Sequence, residues 1–504
     1  MKIKVAAGDI VHTAADAIIV SLFEGVAKPT GGATAAVDQA LGGAITQLIA
    51  DGEIKGKASE AIIIHTLGRI EPKRVAVLGL GKKEKLNLEG VRRGVAEACR
   101  LLRTSGAKKI AATAVGSGEG EIDPRSSAQA VVEGCLLGLY TFRQHRTADE
   151  DDKDVQEFWL VEQDSRRLPQ LKQGVEVGKI MAEATNLARD LINQPSNYMT
   201  PAIMAQEAQK VAQTHGLSIK ILEREEMREM GMGALLGVAQ GSHNPPKFII
   251  LEYKGDGGGK PTLGLIGKGI TFDSGGISLK PSEGMGDMKV DMSGAAAVLA
   301  AMQAIAQLKP QLNVTGLIPA TENLPGGGAL KPGDVLRALN HKTIEVISTD
   351  AEGRLILADA LSYAVKQGLS PLLDLATLTG ACRVALGEAY SGAFGNDEDF
   401  LGRVIKAGKA AGEAQWPMPL VEEYKEQIKS DVADIKNTGD HWGGAITGAL
   451  FLAEFVGDTP WVHLDIAGPA LSQKDKGYII KGGSGVGVRT LVNLVLSLAE
   501  KQGG

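Results

Sequence analysis

Lys268, Asp273, Lys280, Asp287, Lys289 and Asp291 are strung along GKGITFDSGGISLKPSEGMGDMKVDMSG, residues 267–294. A short apolar run, Leu263, Leu265 and Ile266, precedes this stretch and suits the end of a buried strand. An unbroken helical run, AAAVLAAMQAIAQL, follows it from Ala295 to Leu308. A second stretch, IEVISTDAEGRL at 344–355, reads as a strand ending in Asp350, Glu352 and Arg354, with the helical run ILADALSYAVKQ directly after. Asp273, Asp291, Asp350 and Glu352 thus fall near strand ends or helix starts, where an open α/β sheet collects its ligands. Four carboxylates brought together there repel one another unless cations neutralise them. Oxygen-rich donors point to magnesium or manganese, with zinc also compatible.

Each of these residues has a plainer reading. Thr349 to Glu352 fits a helix capping box, and acidic side chains suit a helix start. Asp291 or Ser293 could cap the alanine-rich helix, and Asp273 before Ser-Gly-Gly could shape a turn. Asp287 and Lys289 read as loop residues. Lys268 and Lys280, set among glycines and apolar residues beside acidic groups, are harder to assign to a solvated surface. The eight histidines are scattered singly, with no H-E-x-x-H pair. His341, His441 and His463 read as structural. No G-x-S-x-G elbow presents a serine nucleophile, and Ser274 reads as a turn residue.

GKGITFDSGGISLKP and STDAEGRL resemble the two signature segments of the leucine aminopeptidase family of dinuclear metallopeptidases. Further matches to that family are NQPSNYMTP (193–201), PATENLPGGGALKPGDV (319–335), NTGDHWGGAITGALFLAEFV (437–456) and HLDIAG (463–468). The likeness is dense from about 180 to 495 and looser before. Ser348 departs from it, since that segment usually begins with asparagine. The resemblance implies an aminopeptidase with leucine-type preference, acting through a water that bridges two divalent ions, Mn²⁺ or Zn²⁺ with Mg²⁺ also possible. It implies metal ligation by Lys268 (through its neutral amine), Asp273, Asp291, Asp350 and Glu352, with Asp273 and Glu352 bridging. Lys280 is then the electrophile that stabilises the gem-diolate, and Arg354 holds a bicarbonate that acts as general base. Peptide substrates and a homohexamer are implied as well.

Such a site needs a large scaffold. At 504 residues the chain exceeds one ordinary core, and two domains follow. Residues 1–166 alternate strands (IKVAAG, AADAIIVSLF, EAIIIHTL, RVAVLGLG, VQEFWLV) with helices (GVRRGVAEACRLLRTSG, SSAQAVVEGCLLGLYTF), a small α/β domain that the resemblance makes macro-like. VLGLG (77–81) lacks the full glycine pattern and an opening helix, so it is no dinucleotide fingerprint. The charge run 146–154 reads as a solvated loop. Residues 167–504 comprise a connector helix from about Pro169 to Asn193 and a catalytic α/β domain, expected to carry a mixed sheet flanked by helices. Within it KGDGGGK (254–260) reads as a hairpin turn between FIILEY and TLGLIG, and Lys260-Pro261 rules out a P-loop.

Net charge of −6 offers no footprint for nucleic acid, which weighs against a DNA-binding regulator. The lack of histidine ligands weighs against a phosphoesterase. Cys99, Cys135 and Cys382 are far apart without C-x-x-C spacing, as expected of buried thiols in a reducing compartment. MKIKVAAGDIV carries no signal-peptide pattern, and no apolar run is long enough to cross a membrane. A cytoplasmic location is expected.

Overall fold

The computed structural model describes residues 1–118, 120–147, 153–255 and 262–500. The chain divides into two compact units, Met1–Glu183 with Lys474–Ile480 and Ala184–Gln473 with Lys481–Gly504. The sequence boundary at 166 marks the end of the first unit's strands; by compactness the division falls inside the long helix that follows.

In the first unit, β1 (Lys2–Ala7), β2 (Ala17–Leu22), β3 (Ala61–His65), β4 (Arg74–Gly79), β5 (Lys109–Ala112) and β6 (Glu157–Glu162) form one sheet in the order β1-β6-β5-β2-β4-β3. All pairings are parallel except β3 with β4. Alternation along each strand serves two apolar faces. Ile18, Val20, Val75 and Val77 pack with α1 (Gly32–Ala40) and α2 (Ala44–Ala50) through Val37, Leu41 and Ile45. Ile19, Ala76, Leu78 and Ile110 pack with α3 (Leu88–Thr104) and α4 (Pro124–Gly138) through Val91, Val95, Ala128 and Val131. The four-residue β5 and the glycine-broken α1 and α2 escape the sequence reading because each is too short for periodicity to show. Five residues of the charge run, 148–152, lie outside the described residues. α5 (Leu168–Asn193) ends just before Gln194-Pro195, where proline disfavours helix in the preceding residue.

The second unit opens with α6 (Pro201–His215), β7 (Ser218–Leu222), α7 (Arg224–Met230) and α8 (Gly233–Val238). Its strands continue as β8 (Lys247–Tyr253), β9 (Leu263–Gly267), β10 (Gly269–Asp273), β11 (Val314–Asn323), β12 (Val335–Arg337), β13 (Thr343–Glu345), β14 (Leu372–Ala376), β15 (Ser391–Gly395), β16 (Gln415–Pro417), β17 (Ile435–Lys436) and β18 (Trp461–Asp465). The main sheet is mixed, in the order β16-β15-β18-β14-β9-β11-β8-β7, with β10 pairing β11. β12, β13 and β17 form a small separate sheet, so the strand read at 344–346 does not belong to the main one. β8 and β9 do not pair as a hairpin, because β11 lies between them. The glycine cluster that joins them, at 256–260, and Pro261 lie outside the described residues.

Two helices carry this unit's core. α9 (Ser293–Leu308) is buried around most of its circumference, as an all-apolar helix must be, and α10 (Glu352–Lys366) is buried from Glu352 through Ala364. Among the described residues, no helix is long and apolar enough to cross a membrane. Cys99, Cys135 and Cys382 are free and buried.

Candidate metal centre

Five mutually parallel strands of the second unit end on one side. Lys268 follows β9, Asp273 ends β10, Asn323 ends β11, Thr377 follows β14 and Asp465 ends β18. β9 and β10 are one strand interrupted at Lys268, flanked by Gly267 and Gly269. Gly267 is required there, since a Cβ on it would lie 2.4 Å from the Gly294 carbonyl oxygen. Facing these ends, Asp291 lies two residues before α9, and Glu352 is the first residue of α10. Carboxylates are favoured at helix starts.

Lys268 Nζ lies 2.7 Å from Asp291 Oδ2 and 2.9 Å from Glu352 Oε1, and donates to the Thr377 carbonyl at 3.1 Å. Lys280 Nζ lies 2.8 Å from Asp273 Oδ2 and 2.5 Å from Asp350 Oδ1. Oxygens of Asp273, Asp350 and Glu352 fall within 4.8 Å of one another. Asn323 Nδ2 ties the cluster together, 2.8 Å from Asp273 Oδ1, 2.9 Å from the Thr349 carbonyl and 3.4 Å from Glu352 Oε2. Thr377 Oγ1 donates to Asp291 Oδ1 at 2.7 Å.

Four carboxylates less two ammonium groups leave two net negative charges in a mostly buried site. The titration of the acids reflects that imbalance. Burial pushes the Asp291, Glu352 and Asp350 carboxyls above their usual range, and neighbouring carboxylates add to it. Burial alone would lower the Lys268 and Lys280 ammonium pKa values, but the surrounding carboxylates outweigh it and raise both. Carboxylate oxygens in negative excess, with one amine at their centre, fit hard or borderline divalent cations.

Arg354 is buried on α10. Its Nη1 donates to the Asn437 carbonyl at 2.7 Å, and its Nε has no hydrogen-bond partner among the described residues. Burial lowers its pKa to about 10, with Glu352 and Asp465 partly offsetting that. Asp465 itself is engaged by Thr379 Oγ1 at 2.6 Å and by the backbone N–H groups of Leu378 and Ala467. A buried cation with an orphaned donor suits a small anion.

The structure therefore brings together Lys268, Asp273, Lys280, Asp291, Asp350 and Glu352, with Arg354 on the same helix as Glu352. The capping box does not form. α10 begins at Glu352, with Ala351 as cap and no side-chain cap bond. Thr349 Oγ1 instead donates to the Gly275 carbonyl at 2.6 Å and accepts from Ser278 N–H. Neither Asp291 nor Ser293 caps α9. The turn reading of Asp273 does hold beside its place in the cluster, since its Oδ1 accepts from Gly275 N–H at 2.9 Å. Lys289 lies in a 3-10 turn, Met285–Met292, and donates to the Asn193 carbonyl. His463 is structural: it is fully buried and its Nδ1 lies 2.6 Å from Asp374 Oδ1. Sequence reasoning missed Asn323 and Thr377. The signal for both was a polar residue closing an otherwise apolar strand.

The cytosol aminopeptidase family's catalytic domain matches residues 186–492, and its N-terminal domain matches 19–149. A probable cytosol aminopeptidase of Alkaliphilus oremlandii (strain OhILAs) is 48% identical over 99% of this chain and 100% of its own length. One from Alkaliphilus metalliredigens (strain QYMF) is 47% identical over the same shares. Among solved structures, a mutant tomato leucine aminopeptidase superposes with a TM-score of 0.88 at 35% identity, covering 99% of this chain and 96% of that one. The bottromycin maturation enzyme BotP in complex with Mn superposes with a TM-score of 0.85 at 34% identity, covering 96% and 100%. With full-length relatives, both family domains and a carboxylate cluster at the strand ends, the chain belongs to the cytosol aminopeptidase family and is an aminopeptidase, a metal-dependent exopeptidase.

Proposed function

We propose that the protein releases N-terminal residues, leucine among them, from peptides at a pair of divalent cations held by Lys268, Asp273, Asp291, Asp350 and Glu352. The observation that carries this is the cluster's negative excess around the buried Lys268. Manganese and zinc suit the donor set, and magnesium is compatible; manganese occupies the BotP relative. When bound, such a pair makes a water nucleophilic near neutral pH and polarises the scissile carbonyl.

The chain's own groups do the rest. Lys280 keeps its proton because Asp273 and Asp350 flank it, so it presents a fixed positive charge where negative charge develops on the substrate oxygen. Arg354 stays charged at neutral pH, and its orphaned Nε would hold a bicarbonate, which would supply a general base beside the cluster. Asn323 and Thr377 hold the carboxylates in place before substrate arrives. One ion of the pair, when bound, would also take the substrate's free α-amine, which would select chain ends over internal peptide bonds. A cytoplasmic homohexamer acting on peptides completes the reading, and the three buried free thiols agree with a reducing compartment.

The test is hydrolysis of leucine p-nitroanilide and of a phosphate ester, before and after exhaustive chelation, with manganese or zinc restored. Amide hydrolysis alone, lost on chelation and regained with metal, is expected. Full activity at zero metal content would overturn the proposal.

A further inference from the structure

The second unit holds a cavity of about 370 Å³ apart from the carboxylate cluster. Its volume lies toward the lower end of small-molecule sites. Leu263 opens β9, Pro371 precedes β14 and Pro460 precedes β18, and all three residues line the space. The carboxyl ends of the same parallel strands lead to Lys268, Thr377 and Asp465. The cavity therefore sits at the opposite edge of the sheet from the candidate metal centre.

Its floor and its rim differ in chemistry. Leu263, Leu312 and Phe400 are buried in the floor, and Leu498 of the last helix, Val488–Glu500, closes it. The rim carries three exposed charged residues from the start of the helix Glu398–Ala411: Asp397, Asp399 and Arg403. Asp397 caps that helix by accepting from Phe400 N–H at 2.7 Å through one oxygen, which leaves the other free. Asp399 and Arg403 are one helical turn apart, the spacing at which opposite charges ordinarily pair. Neither side chain has an ion pair or hydrogen bond among the described residues. A carboxylate and a guanidinium that line one hollow without meeting leave room between them for a ligand bearing both charges. Apolar walls concentrate the field of such rim charges and strengthen their hold. Arg403 disfavours a bare divalent cation, and the two acids disfavour a simple anion.

We propose that this cavity binds a free aliphatic α-amino acid, the class of product that an aminopeptidase releases. Its carboxylate meets Arg403, its ammonium meets Asp397 and Asp399, and its side chain lies on the leucine and phenylalanine floor. A peptide separates its two terminal charges by at least one further residue, so the cavity takes product rather than substrate.

The experiment is calorimetric titration of the metal-loaded, full-length protein with L-leucine and with glycine. Isocaproate, which lacks the ammonium, and isoamylamine, which lacks the carboxylate, complete the series. Parallel leucine titrations use Arg403→Gln, Leu498→Trp, which fills the floor, and Asp273→Ala, which disrupts the carboxylate cluster and with it any product held at the metals. Asp273→Ala should still bind one leucine per chain, and the other three compounds at least about tenfold more weakly. Arg403→Gln and Leu498→Trp should each weaken that leucine about tenfold or more, while leaving kcat and melting temperature unchanged. Absence of leucine binding up to about 10 mM overturns the proposal. So does leucine binding lost in Asp273→Ala but kept in both cavity variants, or isocaproate or isoamylamine binding as tightly as leucine.

Discussion

Gly353 stands directly against Lys268. A Cβ on Gly353 would lie 2.5 Å from both Cε and Nζ of that lysine. The glycine in AEGRL thus exists to let a buried amine reach Asp291 and Glu352, not to bend the backbone, since it lies inside α10. Gly353→Ala should displace Lys268 and lower kcat about 10–100-fold, as loss of a supporting contact does elsewhere. Helix propensity would favour alanine, so an unchanged or raised melting temperature beside the lost activity separates the two effects. Wild-type kcat in this variant would show that Lys268 does not need its present position.

Lys268→Arg tests what that amine does. A lysine can give up its proton to bind a cation, whereas arginine in practice cannot. Metal analysis of the variant should show one ion lost or weakened. Two ions bound with unchanged affinity would make Lys268 only a counter-charge for Asp291 and Glu352.

Lys280 bears a different burden. Lys280→Ala should leave metal content unchanged and lower kcat about 10²–10³-fold, the loss typical of an oxyanion donor. A rise in KM at constant kcat would reassign it to substrate binding.

Asp359, two turns along α10 from Glu352, concerns stability rather than chemistry. It is fully buried, and its two oxygens accept from Leu235 and Leu339 N–H at 2.8 Å each. Burial pushes its carboxyl up to about 7, against those N–H groups. Because the folded pKa exceeds the unfolded one, the folded chain holds the extra proton. Its contribution is therefore full below the unfolded value near 4, falls as pH rises toward 7, and is constant above. Asp359→Asn has no such dependence. Wild type should thus lose melting temperature relative to this variant between pH 5 and pH 7, and no further at pH 8. A pH-independent difference would contradict it. Asp359→Ala, which strands two buried N–H groups, should cost about 2–4 kcal/mol at neutral pH.

Much of this was legible in the sequence because the chemistry is local. Asp273 and Lys280 lie on one glycine-rich turn, and Asp350, Glu352 and Arg354 on one helix start, so residue type and spacing sufficed. The partners that lock them are not local. Asn323 reaches Asp273 only because β10 lies beside β11, and Thr377 reaches Asp291 from the end of β14. The same holds for the fold. Periodicity announced α9 and α10, but pairing order did not follow from succession, and β8 and β9, consecutive in sequence, flank β11 instead. Thr349 shows why a good local signal can mislead: its hydroxyl met a backbone carbonyl from the other loop before it could cap a helix.

The pairing of β10 with β11 shifts by one residue between Ile270 and Phe272. Up to Ile270 each residue faces one 51 positions later, as Ile266 faces Leu317; from Phe272 onward the offset is 50, as Asp273 faces Asn323. On an even pleat, Lys268 and Asp273 are five steps apart and would point to opposite sides of the sheet. The extra residue at the bulge makes five steps count as four, and both side chains arrive in the same crevice. The spacing that looks odd for a strand is thus the correct one here. Forcing an even ladder while all five steps are kept would instead turn Asp273 away from the lysine it must accompany.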